Sequence, residues 1–468
     1  MFRLIVQKEL RQIIGSTQFA VIFGVSALLI LLAFYVGARN YQVSRDHYQS
    51  ALTENLRQME GLTDWLRVEQ RIFLPPQPLE TMVTGISNDI GRNIQVKGRG
   101  ELIARDSRFN SDPLFAVFRF LDLDFVFQIV LSLFAILFVY NAVSGEKEQG
   151  TLRLSFSNAV PRDSYILGKA AGSFLALAIP LLIPILLGCL LLPLMGVPMS
   201  GGDWARLGLI VLAGMLYLGV FLNLSLFVSS LTHRSSTSFL ALLVIWILAV
   251  MVLPRSSVLL AGRAVDVISS DEMAHRKARR QSQLWEEDKD KMGEFQPTSE
   301  EPSQIMQEFN AYMQEVADER ESSMREFNGR LEEQRRNQDS VRQRWALGLA
   351  RLSPASAFSL AAMNLAGTSI ELRERYQQQA LAYQQSYAQF IRQKTGGLSG
   401  GGMILHIMNT EQEEPEPIDP REIPPFQFEA APVSEVARAA VLDLGLLGLF
   451  NLVFFVGAFV AFLRYDVR

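Results

Sequence analysis

Apolar residues in this chain come in long unbroken runs separated by stretches dense in charge. A bilayer core about 30 Å thick is crossed by roughly 20 apolar residues in a helix. Six runs meet that length: 18–38, 125–143, 170–194, 207–231, 239–260 and 436–463. Pro180 and Pro184 are expected to kink the third, and Pro254 falls near the end of the fifth. The first run has a basic lead, but it is long for a secretory signal and no small-residue cleavage site precedes Arg39. It reads as a retained span.

The polar stretches carry helical periodicity too. Tyr48, Leu52, Leu56, Met59, Leu62 and Leu66 recur at three- and four-residue steps. They predict a helix over 41–72 continuing from the first span, stopped by Pro75, Pro76 and Pro78, with a loop beyond to Pro113. Over 273–352 the pattern predicts two charged helices with a thin apolar seam, divided by Pro297 and Pro302. Ser353-Pro354 ends the second, and Ser356 is expected to cap a short helix through Ala362. A further helix over 369–393 carries Tyr376, Tyr383, Tyr387 and Phe390 on one side, a stripe that reads as packed core. Residues 396–402 are glycine-rich, and the proline-rich 411–425 run reads as an extended tether into the last span.

Composition narrows the class. With 49% hydrophobic and 20% charged residues and a mean hydropathy of +0.16, the chain is neither one soluble globule nor disordered. A net charge of −4 gives no support for nucleic-acid binding. The lone Cys189 excludes an internal disulfide framework and a cysteine-cluster metal site. His47, His233, His275 and His406 have no ligand spacing, so no metal is expected. Neither an HExxH nor a Gly-x-Ser-x-Gly motif occurs. Gly145-x-x-x-x-Gly150-Thr151 lacks the lysine of a phosphate loop and follows an apolar run instead of a strand, leaving no recognisable ATP-binding loop.

Basic residues set the orientation. Arg3, Lys8 and Arg11 precede the first span; Lys147, Arg153, Arg162 and Lys169 lie between the second and third. His233 and Arg234 separate the fourth and fifth, and Arg464 and Arg468 follow the sixth, whereas 198–203 has no basic residue. The positive-inside rule then puts both termini in the cytoplasm. The expected fold is an all-α membrane protein: a cytoplasmic amphipathic helix at 1–17, six spans, and mainly helical extracytoplasmic segments at 39–124 and 261–435. The spans two to five cover 125–260 with a cytoplasmic loop at 144–169, and 436–468 holds the sixth span and a short tail. Within the spans, Asp443 is costly unless paired or near the interface. It reads either as a substrate or ion contact or as a residue at headgroup depth bonded to a neighbouring helix. Asn223 and Asn451 read as helix-to-helix contacts.

The loop after the second span has the most ordered pattern. It runs Ser144-Gly145-Glu146-Lys147-Glu148-Gln149-Gly150-Thr151-Leu152-Arg153, then Ala159-Val160-Pro161-Arg162, then Ile166-Leu167-Gly168-Lys169. Glu146 and Glu148 are expected to pair with basic residues of a partner, Gly150 to allow a tight turn, and Thr151 to cap the following helix. From composition alone, the same charges would merely keep a loop in water.

This order resembles the first cytoplasmic loop of ABC-transporter permeases of the type 2 exporter class. Their pattern is an acidic pair, Gly-Thr-Leu, a short polar stretch, a Pro/Ser-Arg turn and an Ile-Leu-Gly-Lys return into the bilayer. The segment 4–11, with Lys8, Glu9 and Arg11, is similar to the amphipathic helix that leads into the first span of that family. The resemblance implies a non-catalytic permease subunit in the cell's inner membrane. A separate ABC ATPase would supply ATP and Mg chemistry, and a second permease subunit, identical or related, would complete the pathway. It further implies ATPase coupling through Glu146, Lys147, Glu148, Gly150, Thr151, Leu152, Arg162 and Lys169. The long segments after the first and fifth spans resemble a subgroup with large extracytoplasmic domains, with Leu352-Ser353-Pro354 and Leu365-Ala366-Gly367-Thr368 matching its signature. They admit extracytoplasmic accessory proteins. Such a machine would export an amphipathic or lipid-like substrate or transmit mechanical work outward. The alternative is a membrane receptor or scaffold with a ligand-binding outer domain and no ATPase, which leaves the loop pattern unexplained.

Overall fold

The computed structural model describes residues 2–63, 65, 68–87, 92–96, 103–105, 122–157, 161–296, 298, 301–394 and 418–465. The glycine-rich 396–402 segment, the start of the 411–425 tether, the Ala159-Val160 pair, Leu66, Pro113, Pro297 and Arg468 lie outside them. Six helices are long and apolar enough to cross a membrane, at the six places the hydrophobic runs predict. The fold is that of an all-α membrane protein.

The chain begins with α1 (Phe2–Ile14), followed by α2 (Thr17–Met59), whose first turn is capped by the Ser16 hydroxyl accepting from Phe19 N–H at 3.1 Å. The other spanning helices are α3 (Leu123–Glu148), α5 (Arg162–Leu194), α6 (Gly201–Leu231), α7 (Ser235–Ala264) and α12 (Val433–Arg464), with the short α4 (Thr151–Ser157) between α3 and α5. α5 accommodates Pro180 and Pro184 within one continuous helix. α3 opens over 140–143 and restarts at Ser144, and the Ser229 hydroxyl of α6 accepts from both Val143 and Ser144 N–H at 3.0 Å. Those two donors would otherwise be orphaned at the restart.

Two compact units divide the chain: residues 1–254, 351–397 and 413–468 form one, and 255–350 with 398–412 the other. The 261–435 segment expected as one helical domain is therefore split. In the first unit, α10 (Pro354–Ala366) packs on α6 and α12, with Phe358 stacked on Tyr217 at 4.9 Å between ring centres. Its cap is Ser353, not Ser356: the Ser353 hydroxyl accepts from Ala355 and Ser356 N–H. Pro354 suits the first helical position because its missing N–H has no intrahelical partner to lose.

The helix expected over 41–72 ends earlier, at Met59. Residues Gln70–Phe73 form β1, antiparallel to β2 (Asn93–Val96), which pairs with β3 (Ile103–Arg105). The loop expected beyond the prolines thus holds two strands of a small sheet. Ile72 sits opposite Ile94, and both face α11 (Ile370–Lys394), whose tyrosine stripe completes a second apolar core. Each hydroxyl reaches a backbone carbonyl: Tyr376 to Ile72 O at 3.0 Å, Tyr387 to Val68 O at 2.9 Å, Tyr383 to Pro424 O at 2.7 Å. Sheet pairing and these bonds override the local helical periodicity, which is a weak prior.

The second unit contains α8 (Ser270–Glu294) and α9 (Pro302–Ala350), which pair antiparallel. Lys277 meets Glu332 at 3.3 Å, Lys291 meets Glu319 at 2.5 Å, and Asp288 pairs with Arg320. The apolar seam between them is short: Ile268, Met273 and Leu331, with Phe327 against them.

Burial raises the pKa of Tyr376, Tyr383 and Tyr387, that of Tyr383 to about 12 against an ordinary 10.0. The folded state then holds these protons more tightly than the unfolded chain. The stability they contribute is present below pH 10 and is lost as pH rises through the folded values. Tyrosinate absorbance followed alongside circular dichroism should show these three residues ionising only as the α11–sheet core melts, above pH 10.

Candidate functional site

The polar joints of the bundle concentrate where α1 meets the 144–169 loop. Lys169 lies in the second turn of α5 and is 2% exposed. Its ammonium donates to Glu9 Oε1 at 2.8 Å and to Glu146 Oε1 at 3.1 Å. Lys8 meets the same Glu146 oxygen at 3.1 Å from the solvent side, and the Tyr165 hydroxyl donates to Glu146 Oε2. Two lysines thus balance two glutamates, with Glu9 only 4% exposed. A buried ammonium is tolerated when its hydrogen bonds and charge are both met, and all three partners here are on different segments.

Backbone packing sets this geometry. A Cβ at Gly168 would lie 2.8 Å from Ile5 Cγ2, and one at Gly172 would lie 2.8 Å from Glu9 Cβ. Glycines four residues apart make a groove along α5 into which α1 settles, the small-residue contact that lets membrane helices approach closely. The groove delivers Glu9 to Lys169. This Gly-x-x-x-Gly spacing, 168–172, was legible in the sequence and is the signal that locates α1.

The rest of the loop ties down other helix ends. Lys147 reaches the carbonyls of Ser230 and Thr232 at the end of α6, and its ammonium sits 4.2 Å from the Tyr465 ring centre. Glu148 accepts from Ser235 N–H at 3.0 Å, capping α7. Arg162 donates to Leu463 O at 3.0 Å and Tyr465 O at 3.2 Å, closing the last turn of α12. Gly150 adopts φ +73° to turn the chain into α4, in the left-handed region where glycine carries no steric cost. Leu152 is buried in the bundle core.

These positions revise the expectations. Glu146 does not present its charge outward: it is matched within the chain by Lys8, Lys169 and Tyr165. Glu148 is exposed, but its carboxylate is engaged by Ser235. Thr151 does not cap α4; it is the helix's first residue, and its hydroxyl points back to Glu146 O at 3.4 Å. Arg11 is exposed in the last turn of α1. The exposed residues of the loop include Glu148, Gln149, Gly150 and Thr151, and Arg153 and Leu154 of α4, Leu154 being 69% exposed.

The intramembrane polar residues form two further joints. Asp443 of α12, fully buried, is held by Arg351 through Nε at 2.6 Å and Nη2 at 3.3 Å. Asn223 Nδ2 donates to Asn451 Oδ1 at 2.9 Å, and Asn451 Nδ2 donates to Leu216 O at 2.8 Å, joining α6 to α12. Among the described residues no group of three or more His, Cys, Asp or Glu could hold a metal ion.

Six spanning helices with an amphipathic helix clamped to the loop between the second and third define a polytopic helical membrane protein. The family model for ABC-2 family transporter proteins matches residues 3–467, and the chain belongs to that family. Membership supports a permease subunit of an ABC transporter. None of the curated proteins matches the chain.

Lys169→Met should cost about 3–5 kcal/mol, because Glu9 would stay buried without a cation and Glu146 would keep only Lys8. The triple change Lys169→Met, Glu9→Gln, Glu146→Gln removes the stranded charges and should lose clearly less. Thermal unfolding of the purified variants in detergent checks that order.

Proposed function

We propose that this chain is the membrane half of an ABC exporter in the inner membrane, with both termini cytoplasmic and driven by a separate ATPase that carries ATP and Mg. The carrying observation is the Glu9–Lys169–Glu146 joint. It makes α1, the loop and α5 one body, while Lys147, Glu148 and Arg162 attach the ends of α6, α7 and α12 to that body. Force delivered to the loop would therefore reach five spanning helices at once, since packed helices shift between discrete arrangements instead of deforming.

Docking would fall to the exposed residues of the loop, among them Arg153 and Leu154 of α4. A second permease subunit, identical or related, would complete the complex. The 39–124 and 261–435 segments would lie on the extracytoplasmic side.

Two outcomes of that force are compatible with the family. One is export of an amphipathic or lipid-like substrate. The other is mechanical transmission to extracytoplasmic partners, favoured by helix length. At about 1.5 Å per residue a 43-residue helix runs about 65 Å, roughly twice the bilayer core, and α2 has that many residues. A receptor or scaffold without an ATPase has no use for a loop that gathers helix ends.

Arg153→Glu combined with Leu154→Asp should cut co-purification of the ATPase at least tenfold while leaving the melting temperature unchanged. Undiminished association, or full activity in cells lacking every candidate ATPase, would refute the coupling assignment.

A further inference from the structure

A second buried cation lies at the end of the bundle formed by the starts of α6 and α12 and the end of α10. Arg206, in the second turn of α6, is 9% exposed. One guanidinium nitrogen donates to Ala431 O, but Nε is buried with no hydrogen-bond partner. No carboxylate lies within ion-pair distance of it among the described residues. The other buried cation among the described residues, Lys169, is matched by two carboxylates. An unmatched guanidinium is costly in such surroundings, and its fixed fork of donors suits phosphate or carboxylate oxygens.

Arg206 lines a small, open-mouthed recess between α6, α10, α11 and α12. One wall is apolar: Leu372, Phe428, Val436 and Ala439. The other charged groups of the lining are already engaged. Arg375 pairs with Glu435, and Glu371 accepts from the Ser369 hydroxyl. Arg206 and Glu371 are left without an ion-pair partner among the described residues, and the lining is neutral overall. Trp204, two residues earlier and 39% exposed, is the residue type that anchors helices at headgroup depth.

We propose that this recess binds the phosphodiester head of a membrane amphiphile, its phosphate oxygens on the Arg206 guanidinium and its glycerol and first methylenes along the apolar wall. The lining carries two arginines and two glutamates, so a singly charged diester fits it better than dianionic free phosphate. The site goes beyond the coupling role: it needs neither nucleotide nor partner, and it stands or falls separately from ATPase docking.

The test is lipid binding by the purified full chain in detergent, read by native mass spectrometry as phosphatidylglycerol and phosphatidylethanolamine are titrated in. Wild type should retain at least one phospholipid. Arg206→Gln should weaken that binding tenfold or more, and Arg206→Lys should recover part of it. Should Arg206→Gln prove unstable, Ala439→Phe fills the recess from an exposed position and leaves Arg206 in place; it should lose the lipid equally. Unchanged lipid retention in both Arg206→Gln and Ala439→Phe would overturn the proposal. Displacement of the bound lipid by inorganic phosphate at comparable concentration would also overturn it, assigning the recess to free phosphate.

Discussion

Lys169 is buried where three pieces of chain meet, and its ammonium is tolerated there because Glu9 and Glu146 both reach it. Glu9 comes from the helix before the first span, Glu146 from the loop after the second, and Lys169 from the start of the third. Removing Lys169 strands Glu9 and weakens the hold on Glu146, so the one ammonium ties the three segments together. The Gly168–Gly172 groove is what makes the approach close enough, since a side chain at either glycine would meet α1 at 2.8 Å.

From that centre the remaining polar joints extend to helix ends. Lysine and arginine sit on the exposed carbonyls that end α6 and α12, and a glutamate sits at the first amides of α7, each where the helix dipole favours that charge. Deeper in the bundle the links are side chain to side chain: Asn223 to Asn451, and Asp443 to Arg351. Apolar packing among spans gives little directional preference in a lipid environment, so these few polar contacts and the small-residue grooves fix which helix lies against which. The same logic makes Arg206 stand out as the buried cation whose acid is missing.

The spans and the charge-rich helices were readable from the chain because bilayer thickness and helical periodicity act locally. Residues 18–38 or 207–231 need no neighbour to declare themselves. The β1–β2–β3 sheet was not readable, since Gln70–Phe73 is a strand by virtue of pairing with Asn93–Val96. The site residues fall between these cases. The loop pattern marked Glu146, Lys147, Glu148, Arg162 and Lys169 as a group, and Lys8 and Glu9 as another. Their partners within the chain were not legible, because matched and unmatched glutamates look alike in one dimension. Glu146 turns inward because α1 and α5 together bring Lys8, Tyr165 and Lys169 to it.

The central claim is that α1, the loop and the start of α5 move as one body. Pulsed electron spin resonance can follow it directly, with spin labels at the exposed Gln7 and Gln149, on the intact complex with and without ATP. The account predicts one label-to-label distance throughout the nucleotide cycle. A distance that shifts by several ångströms between the two states would mean that α1 slides on the loop, and the joint at Lys169 would not be the element that carries the motion.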